Sequence, residues 1–231
     1  MSLTVSQAVM NEVRAVLADP EPGSYWPDSY LCNAYNIVVT SIIGENPNAL
    51  TKVIDFTLQP GVDQIIPSDE VPYTLPGSPG DTLTDGVQFI RMPSNIGGPT
   101  IRQVTEESLQ EDWPDWYNAI PQTLVKYVIP DKFDPLRARV CPPNNGQGVV
   151  SMQYAWAPPD ITDLSQPYLL TEAYRMDIRN GVLAMAYALN TDRQDLPKSQ
   201  FYFQLLGLNV GTKIKAQSAL AQKVGTQQTT E

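Results

Sequence analysis

Apolar residues recur at helical spacing over residues 170–190. Leu170, Tyr174, Ile178, Val182, Met185 and Leu189 form one row, and Ala173, Met176, Leu183 and Tyr187 form a second beside it. Thr171 stands where a hydroxyl would accept a free first-turn N–H. From Val182 onward the pattern is apolar on every side, so this helix must be buried on more than one face, inside a bundle or against another subunit. A narrower stripe, Val5, Val9, Val13 and Val16, predicts a helix over residues 4–17, with Ser2 or Thr4 as its cap. Two prolines and a glycine at 20–23 break the chain before Trp26 and Pro27. Leu31, Ala34, Tyr35, Val38 and Ile42 then mark a second helix, with Asp28 at its positive end. These two make a helical hairpin that cannot bury both stripes alone. A fourth helix is predicted over 196–206, with Phe201 and Leu205 on one face and Tyr202 and Leu206 on the next. Gly207 and Gly211 are expected to end it.

Between the second helix and residue 170 the period changes to alternation. Strands are predicted over 52–58, 64–67, 87–92, 101–104, 124–129, 136–141 and 149–156, the last with Val150, Met152, Tyr154 and Trp156 on one face. Residues 68–85, rich in Pro, Gly, Asp and Thr, read as an exposed loop, and 105–113 as one short helix with Glu106 and Glu107 in its first turn. The fold expected is α+β. A four-helix bundle, two N-terminal and two C-terminal helices, carries a small inserted β-rich domain and an extended C-terminal tail. The expected boundaries are 1–48 for the N-terminal hairpin, 49–165 for the β-rich insert, 166–207 for the C-terminal helical pair and 208–231 for the tail. No internal repeat is seen.

Composition narrows the function classes. With 42% hydrophobic and 17% charged residues among 231, the chain can bury a real core. A net charge of −10 argues against binding nucleic acid through a general basic surface; it suits solubility, or a wall past which DNA slides without adsorbing. There is no histidine, which removes the commonest general base and metal ligand. Cys32 and Cys141 are far apart and make neither a zinc site nor a redox motif, so they read as buried thiols in a reducing compartment. Residues 1–13 show no basic run followed by an apolar run, so no signal peptide is expected, and the helix over 170–190 is too polar at its start for a membrane span. Glu106, Glu107, Glu111, Asp112 and Asp115 gather around Trp113, Trp116 and Tyr117. Paired carboxylates beside aromatics are what a glycoside hydrolase needs; a solvated helix start followed by a tryptophan-anchored loop is the plainer reading. Arg137 and Arg139 alternate on a strand, as outward residues that pair with nearby acids or as a small positive face. No phosphate loop, nucleophile elbow, metal-ligand pattern or catalytic constellation emerges, and no cofactor is implied.

Several ordered motifs carry a resemblance. They are Leu58-Gln59-Pro60-Gly61 with Gln64 and Pro67, Ile101-Arg102-Gln103-Val104, and Asp115-Trp116 with Pro121 and Val125-Lys126-Tyr127-Val128. Asp134-Pro135, Val140-Cys141-Pro142-Pro143, Gln153-Tyr154 and Ala157-Pro158-Pro159-Asp160 follow, then Ala173-Tyr174 and Tyr187-Ala188-Leu189 in the long apolar helix. In this order, over nearly the whole chain, they resemble the head-to-tail adaptor, or head-completion, proteins of short-tailed bacteriophages.

The resemblance implies a non-enzymatic virion protein, assembled in the host cytoplasm as a ring of twelve beneath the portal protein. Its partners would be the portal and the tail nozzle or fibre proteins, with DNA passing through the shared channel without specific binding and no membrane involved. By family position, Leu208, Val210, Lys213, Ile214, Lys215 and Lys223 would contact the portal. Val182, Met185, Tyr187 and Leu189 would serve bundle and subunit interface. Two alternatives remain: a peptidoglycan hydrolase of the phage tail using the carboxylates near Trp113, and a tail or baseplate binding module that never touches the portal.

Overall fold

The computed structural model describes residues 5–19, 25–74, 82–164, 166, 170–189 and 192–227; for residues 5, 6, 70 and 217–227 this is the backbone. The expected caps Ser2 and Thr4, the break at 20–23 and the final residues 228–231 lie outside the described residues. The chain divides into two compact units, Met1–Ala49 with Pro159–Glu231, and Leu50–Pro158.

The first unit is helical. Helices α1 (Val5–Leu17), α2 (Asp28–Glu45) and α5 (Leu196–Gln227) each pack against α4 (Arg175–Ala188), which a 3-10 turn at Glu172–Tyr174 introduces. The stripe of α1 buries Val9 and Val13, with Met10 and Leu17 beside them in place of the expected Val16, which is exposed, while α2 buries Leu31, Ala34, Tyr35, Val38 and Ile42 with Cys32, Val39 and Ile43 beside them. The link between α1 and α2 is held by charge. The buried Arg14 guanidinium donates to Asp19 at 2.9 Å, to the Trp26 carbonyl at 3.2 Å and to Asp28. Trp26, itself buried, sends its indole N–H to the Ala186 carbonyl at 3.3 Å and so ties that link to α4. Further polar pins reach α4 and the turn before it: Tyr30 Oη to the Met185 carbonyl, Ser199 Oγ to the Ala184 carbonyl and Asn46 Nδ2 to Tyr174 Oη, each at 2.8 Å. Donors of this kind offset the cost of burying carbonyls left over at a helix end.

The second unit is built from two four-stranded sheets. One has the order β1-β8-β4-β3, with β1 Thr51–Thr57, β8 Val149–Trp156, β4 Thr82–Asn95 and β3 Ser68–Thr74, all antiparallel. The other has the order β2-β7-β6-β5, with β2 Gly61–Ile65, β7 Arg137–Asn144, β6 Tyr127–Pro130 and β5 Arg102–Gln103, parallel only between β5 and β6. Their inner faces share one core: Phe56, Phe89, Met92, Val150, Met152 and Tyr154 from the first sheet meet Val128, Ala138 and Val140 from the second. The Tyr73 hydroxyl accepts from the Thr57 N–H at 2.9 Å, and its ring lies 4.8 Å from Phe56, so edge strand β3 is stitched to edge strand β1 and the sheet curls on itself. This covers edges that would otherwise invite pairing with another chain. Helix α3 (Glu106–Asp112) belongs to this unit and is capped by Thr105, whose hydroxyl accepts from the Ser108 N–H at 3.3 Å.

This is not a four-helix bundle with a small β-rich insert, and that expectation is corrected. Among the described residues there are five helices, one of them within the β unit, and that unit, with its two four-stranded sheets, occupies nearly half of the chain. Two local readings account for the difference. Residues 68–85 do not form one exposed loop: 68–74 make β3 and β4 begins at Thr82, while 75–81 lie outside the described residues. Nor does the fourth helix give way to an extended tail at Gly207, since α5 runs on to Gln227, 32 residues in all. A helical glycine costs only about 1 kcal/mol relative to alanine, which its good helix-forming neighbours outweigh. At Pro60-Gly61 the chain crosses from one sheet to the other: β2 pairs with β7 rather than with β1, and Gly61, at φ +104°, permits the crossing.

Candidate functional site

The sequence-predicted portal contacts all lie on α5, and packing separates them. Ser199, Tyr202, Leu206 and Val210 follow one another along one side of α5, with Ser199 and Val210 buried. One turn further, the Lys213 ammonium donates to the Asp177 carboxylate and the Ala173 carbonyl, and sits 4.4 Å from the centre of the Tyr174 ring. Asp177 is fully buried, so this pair fixes the register of α5 on α4. Val210 and Lys213 therefore face the chain's own core. Leu208 is 68% exposed, Lys215 is exposed and Ile214 half-buried, and Lys223 lies further along the same helix.

Phe201, Leu205, Leu208 and Lys215 share the opposite side of α5, at spacings of four, three and seven residues. Phe201 and Leu208 are exposed there. Across its 32 residues α5 contains four lysines and no carboxylate, in a chain with 25 acidic residues. The outward side is thus apolar and cationic. The carboxylate-free run was visible in the sequence, but its helical continuation was not.

The residues expected at bundle and subunit interface sit on the last two turns of α4. Val182 is fully buried within the single chain and Tyr187 nearly so, its ring stacked 5.9 Å from Tyr202. Met185 and Leu189 keep partial exposure.

In the β unit the acidic–aromatic cluster comes together around Arg139. Its guanidinium donates to Glu106 at 2.9 Å, to Tyr117 Oη at 3.1 Å and to Asp131 at 3.4 Å, with Asp63 at 3.6 Å. Lys132 pairs with Glu107. That ammonium, first of all, holds the Glu107 carboxyl below its ordinary range, and backbone N–H groups of Phe133 and Asp134 do the same for Asp131. A hydrolase acid needs the opposite shift. Trp116 is buried and stacks on Tyr117 at 3.7 Å, the anchor that the plainer reading expected. Arg137 pairs with Asp134 at 2.8 Å, so both strand arginines meet acids. Next to Arg139 lies a cleft of about 420 Å³, whose lining includes Val104, Glu106, Ile129, Pro130 and Phe133. Sequence reasoning passed over Phe133 because a single aromatic in a turn carries no periodic signal. Cys32 and Cys141 are free and buried, and burial pushes the Cys141 thiol up to about 11.

Comparison with protein-family models puts this chain among the adaptors of bacteriophages, structural proteins of the virion. Over residues 4–229 it matches the model described as SU10 adaptor protein, and the chain belongs to that family. The match agrees with a head-to-tail adaptor of a phage particle. A search of the curated proteins found no match. Among the described residues, no helix is long and apolar enough to cross a membrane.

Proposed function

We propose that this chain is a non-enzymatic head-to-tail adaptor that docks on the portal through its helical unit, lines the DNA channel and offers its β unit to the tail nozzle or fibres. In this reading copies form a ring beneath the portal, twelve by family resemblance, assembled in the host cytoplasm. The observation that carries the portal contact is α5: its inner side is used up on α4 as far as Lys213, and its outer side, with Leu208 and Lys215, has no acid to repel an acidic partner. Ile214 and Lys223 continue the same arm. The net charge of −10 supports passage of DNA without adsorption.

The test is to mix purified protein with purified portal and image the complexes. Rings on the portal are expected; none, even at high protein concentration, would overturn the adaptor reading in favour of a tail or baseplate module. Removing residues 217–231 keeps Leu208, Val210, Lys213 and Lys215, so the shortened protein should keep its melting temperature and bind the portal more weakly. Unchanged binding would take the distal arm out of the interface.

A further inference from the structure

Phe133 is 95% exposed, on the turn between β6 and β7. The turn is held firmly. Asp131 Oδ1 accepts from the Phe133 and Asp134 N–H groups at 2.8 and 3.0 Å, and Asp134 Oδ1 accepts from the Leu136 N–H at 2.9 Å. From the flanking chain, the Phe89 N–H donates to the Pro135 carbonyl at 2.7 Å and the Ile66 N–H to the Leu136 carbonyl at 2.9 Å. An aromatic ring kept in water on a pinned turn gains nothing for the fold. It is pre-organised for a contact, because little loop entropy remains to be lost on binding.

The cleft of about 420 Å³ opens beside it, apolar at Val104, Ile129 and Pro130, and of a size that accepts side chains of a partner. Its lining carries Glu106 and Asp131 beside Arg139 and Lys132, and outside the lining Asp63 and Glu107 add two further carboxylates that pair with those same cations. Asp63, Glu106 and Asp131 all face the single Arg139, and the Glu107–Lys132 pair is neutral, so carboxylates are in excess.

We propose that Phe133 and this cleft form a docking site for a tail-component segment in which an apolar side chain is flanked by lysine or arginine. The apolar side chain fills the cleft against Phe133, and the cation meets the surplus carboxylates. The inference rests on the adaptor reading and names the chemistry of its tail-side partner. Charge selects this occupant over the others available. A second copy meeting it with the same face would bring the same excess of carboxylates. DNA carries the wrong sign.

The experiment places the photo-crosslinker p-benzoylphenylalanine at position 133 in complete phage particles. Irradiation should join it to a tail protein at a segment with lysine or arginine beside an apolar residue. Crosslinks to the portal, to a second copy or to an acidic segment, or no crosslink, would overturn the inference. In parallel, Phe133→Ser and Asp63→Lys alter exposed side chains and should leave the melting temperature unchanged. Particles carrying either variant should keep the adaptor on the portal and lose tail protein, and binding of the crosslinked tail protein to Phe133→Ser should fall about thirtyfold or more. Full tail occupancy in both variants would refute the site. Absence of the wild-type chain from the portal vertex would instead refute the adaptor reading on which the site depends.

Discussion

Gly181, in the middle of α4, provides a test in which two physical effects predict opposite signs. A Cβ added there would lie 2.6 Å from Cγ1 and 2.7 Å from Cγ2 of Val38 on α2. Valine in a helix is nearly confined to one χ1 rotamer, and any rotation that moves one methyl away leaves another close to the same place. The clash must be relieved by moving a helix. Overpacking of this kind costs about 1–3 kcal/mol, while replacing a helical glycine by alanine gains up to about 1 kcal/mol. Gly181→Ala should therefore destabilise the helical unit, by up to about 2 kcal/mol when the full helix gain is subtracted from the overpacking cost. Val38→Ala removes both offending methyls, so the double variant should be more stable than the sum of the single effects by about 1–2 kcal/mol, a coupling expected only of residues in contact. The assay is urea unfolding followed by circular dichroism at 222 nm, comparing midpoints at constant slope. Gly207→Ala and Gly211→Ala are the controls, because a Cβ at either position meets open space; each should gain up to about 1 kcal/mol. If Gly181→Ala were stabilising like the controls, propensity alone would decide, and the close approach of α2 to α4 would be refuted.

Lys213→Met leaves Asp177 buried without its cation and should cost about 3–5 kcal/mol, whereas Asp177→Asn together with Lys213→Met should recover most of that loss; thermal unfolding by circular dichroism measures both. The Cys141 thiol, raised to about 11 in the fold, stays protonated where the unfolded chain ionises from about 9 upward. The unfolded state then binds fewer protons, so stability of the β unit should fall as pH rises from 9 towards 11. Urea midpoints by tryptophan fluorescence should show that slope, and Cys141→Ala should reduce it. Changing Glu106, Glu107 and Asp112 to their amides should leave portal assembly intact, as seen by imaging. A muralytic activity present in the parent and lost in that variant would revive the hydrolase alternative.

The helices of the first unit were legible from their apolar stripes, although two expected members, Val16 and Met176, are exposed. Val9, Val13, Val38, Ile42, Ile178 and Val182, all picked out by spacing, are buried. The motifs behind the family resemblance also gain physical reasons. In Leu58-Gln59-Pro60-Gly61, Leu58 is core, and Gln64 Oε1 accepts from the Gln59 N–H at 2.7 Å while its Nε2 donates to the Gln59 carbonyl at 2.9 Å. The glutamine side chain replaces the strand partner that the crossing chain lacks. What could not be read were contacts that depend on long-range pairing. Asn95 sits in a run of turn formers, yet it is buried, donating to the Val125 carbonyl at 2.8 Å and accepting from the Val125 N–H at 2.9 Å. Asn144 likewise donates to the Gln122 and Thr123 carbonyls, both at 3.0 Å. Neither pattern is periodic, so neither leaves a trace in a one-dimensional reading. The β3–β4 pair was hidden for a related reason: proline, glycine and aspartate mark turns through local chemistry, while the pairing of Tyr73 with Leu83 and the packing of Tyr73 against the core decide the strands.

The apolarity of α4 raised the question of what covers it, a bundle or a neighbouring subunit. Spacing alone cannot distinguish these, because burial removes the same surface from water whichever chain supplies the cover. Three helices of the same chain pack on α4, and Val182, Leu183, Ala184 and Ala186 are already fully enclosed. Apolar surface left for a partner in the helical unit lies elsewhere: on Phe201, Phe203 and Leu208 of α5, on Ile37 of α2 and on Met176 near the start of α4. Among the described residues, a contact between subunits made through this unit can draw on these residues, on the exposed Val16, Tyr25 and Leu196, or on the partly exposed Met185 and Leu189. The fully enclosed residues can affect assembly only through the fold. Leu208→Asp and Val182→Asp should thus separate the two roles. The first places a carboxylate in water and should leave stability within about 0.5 kcal/mol while weakening portal binding. The second buries an unpaired carboxylate and should cost several kcal/mol, abolishing assembly only because the helical unit no longer folds. Thermal melts of both proteins, set beside their portal binding, decide it. If Val182→Asp melted like the wild type, the enclosure of α4 by its own chain would be refuted.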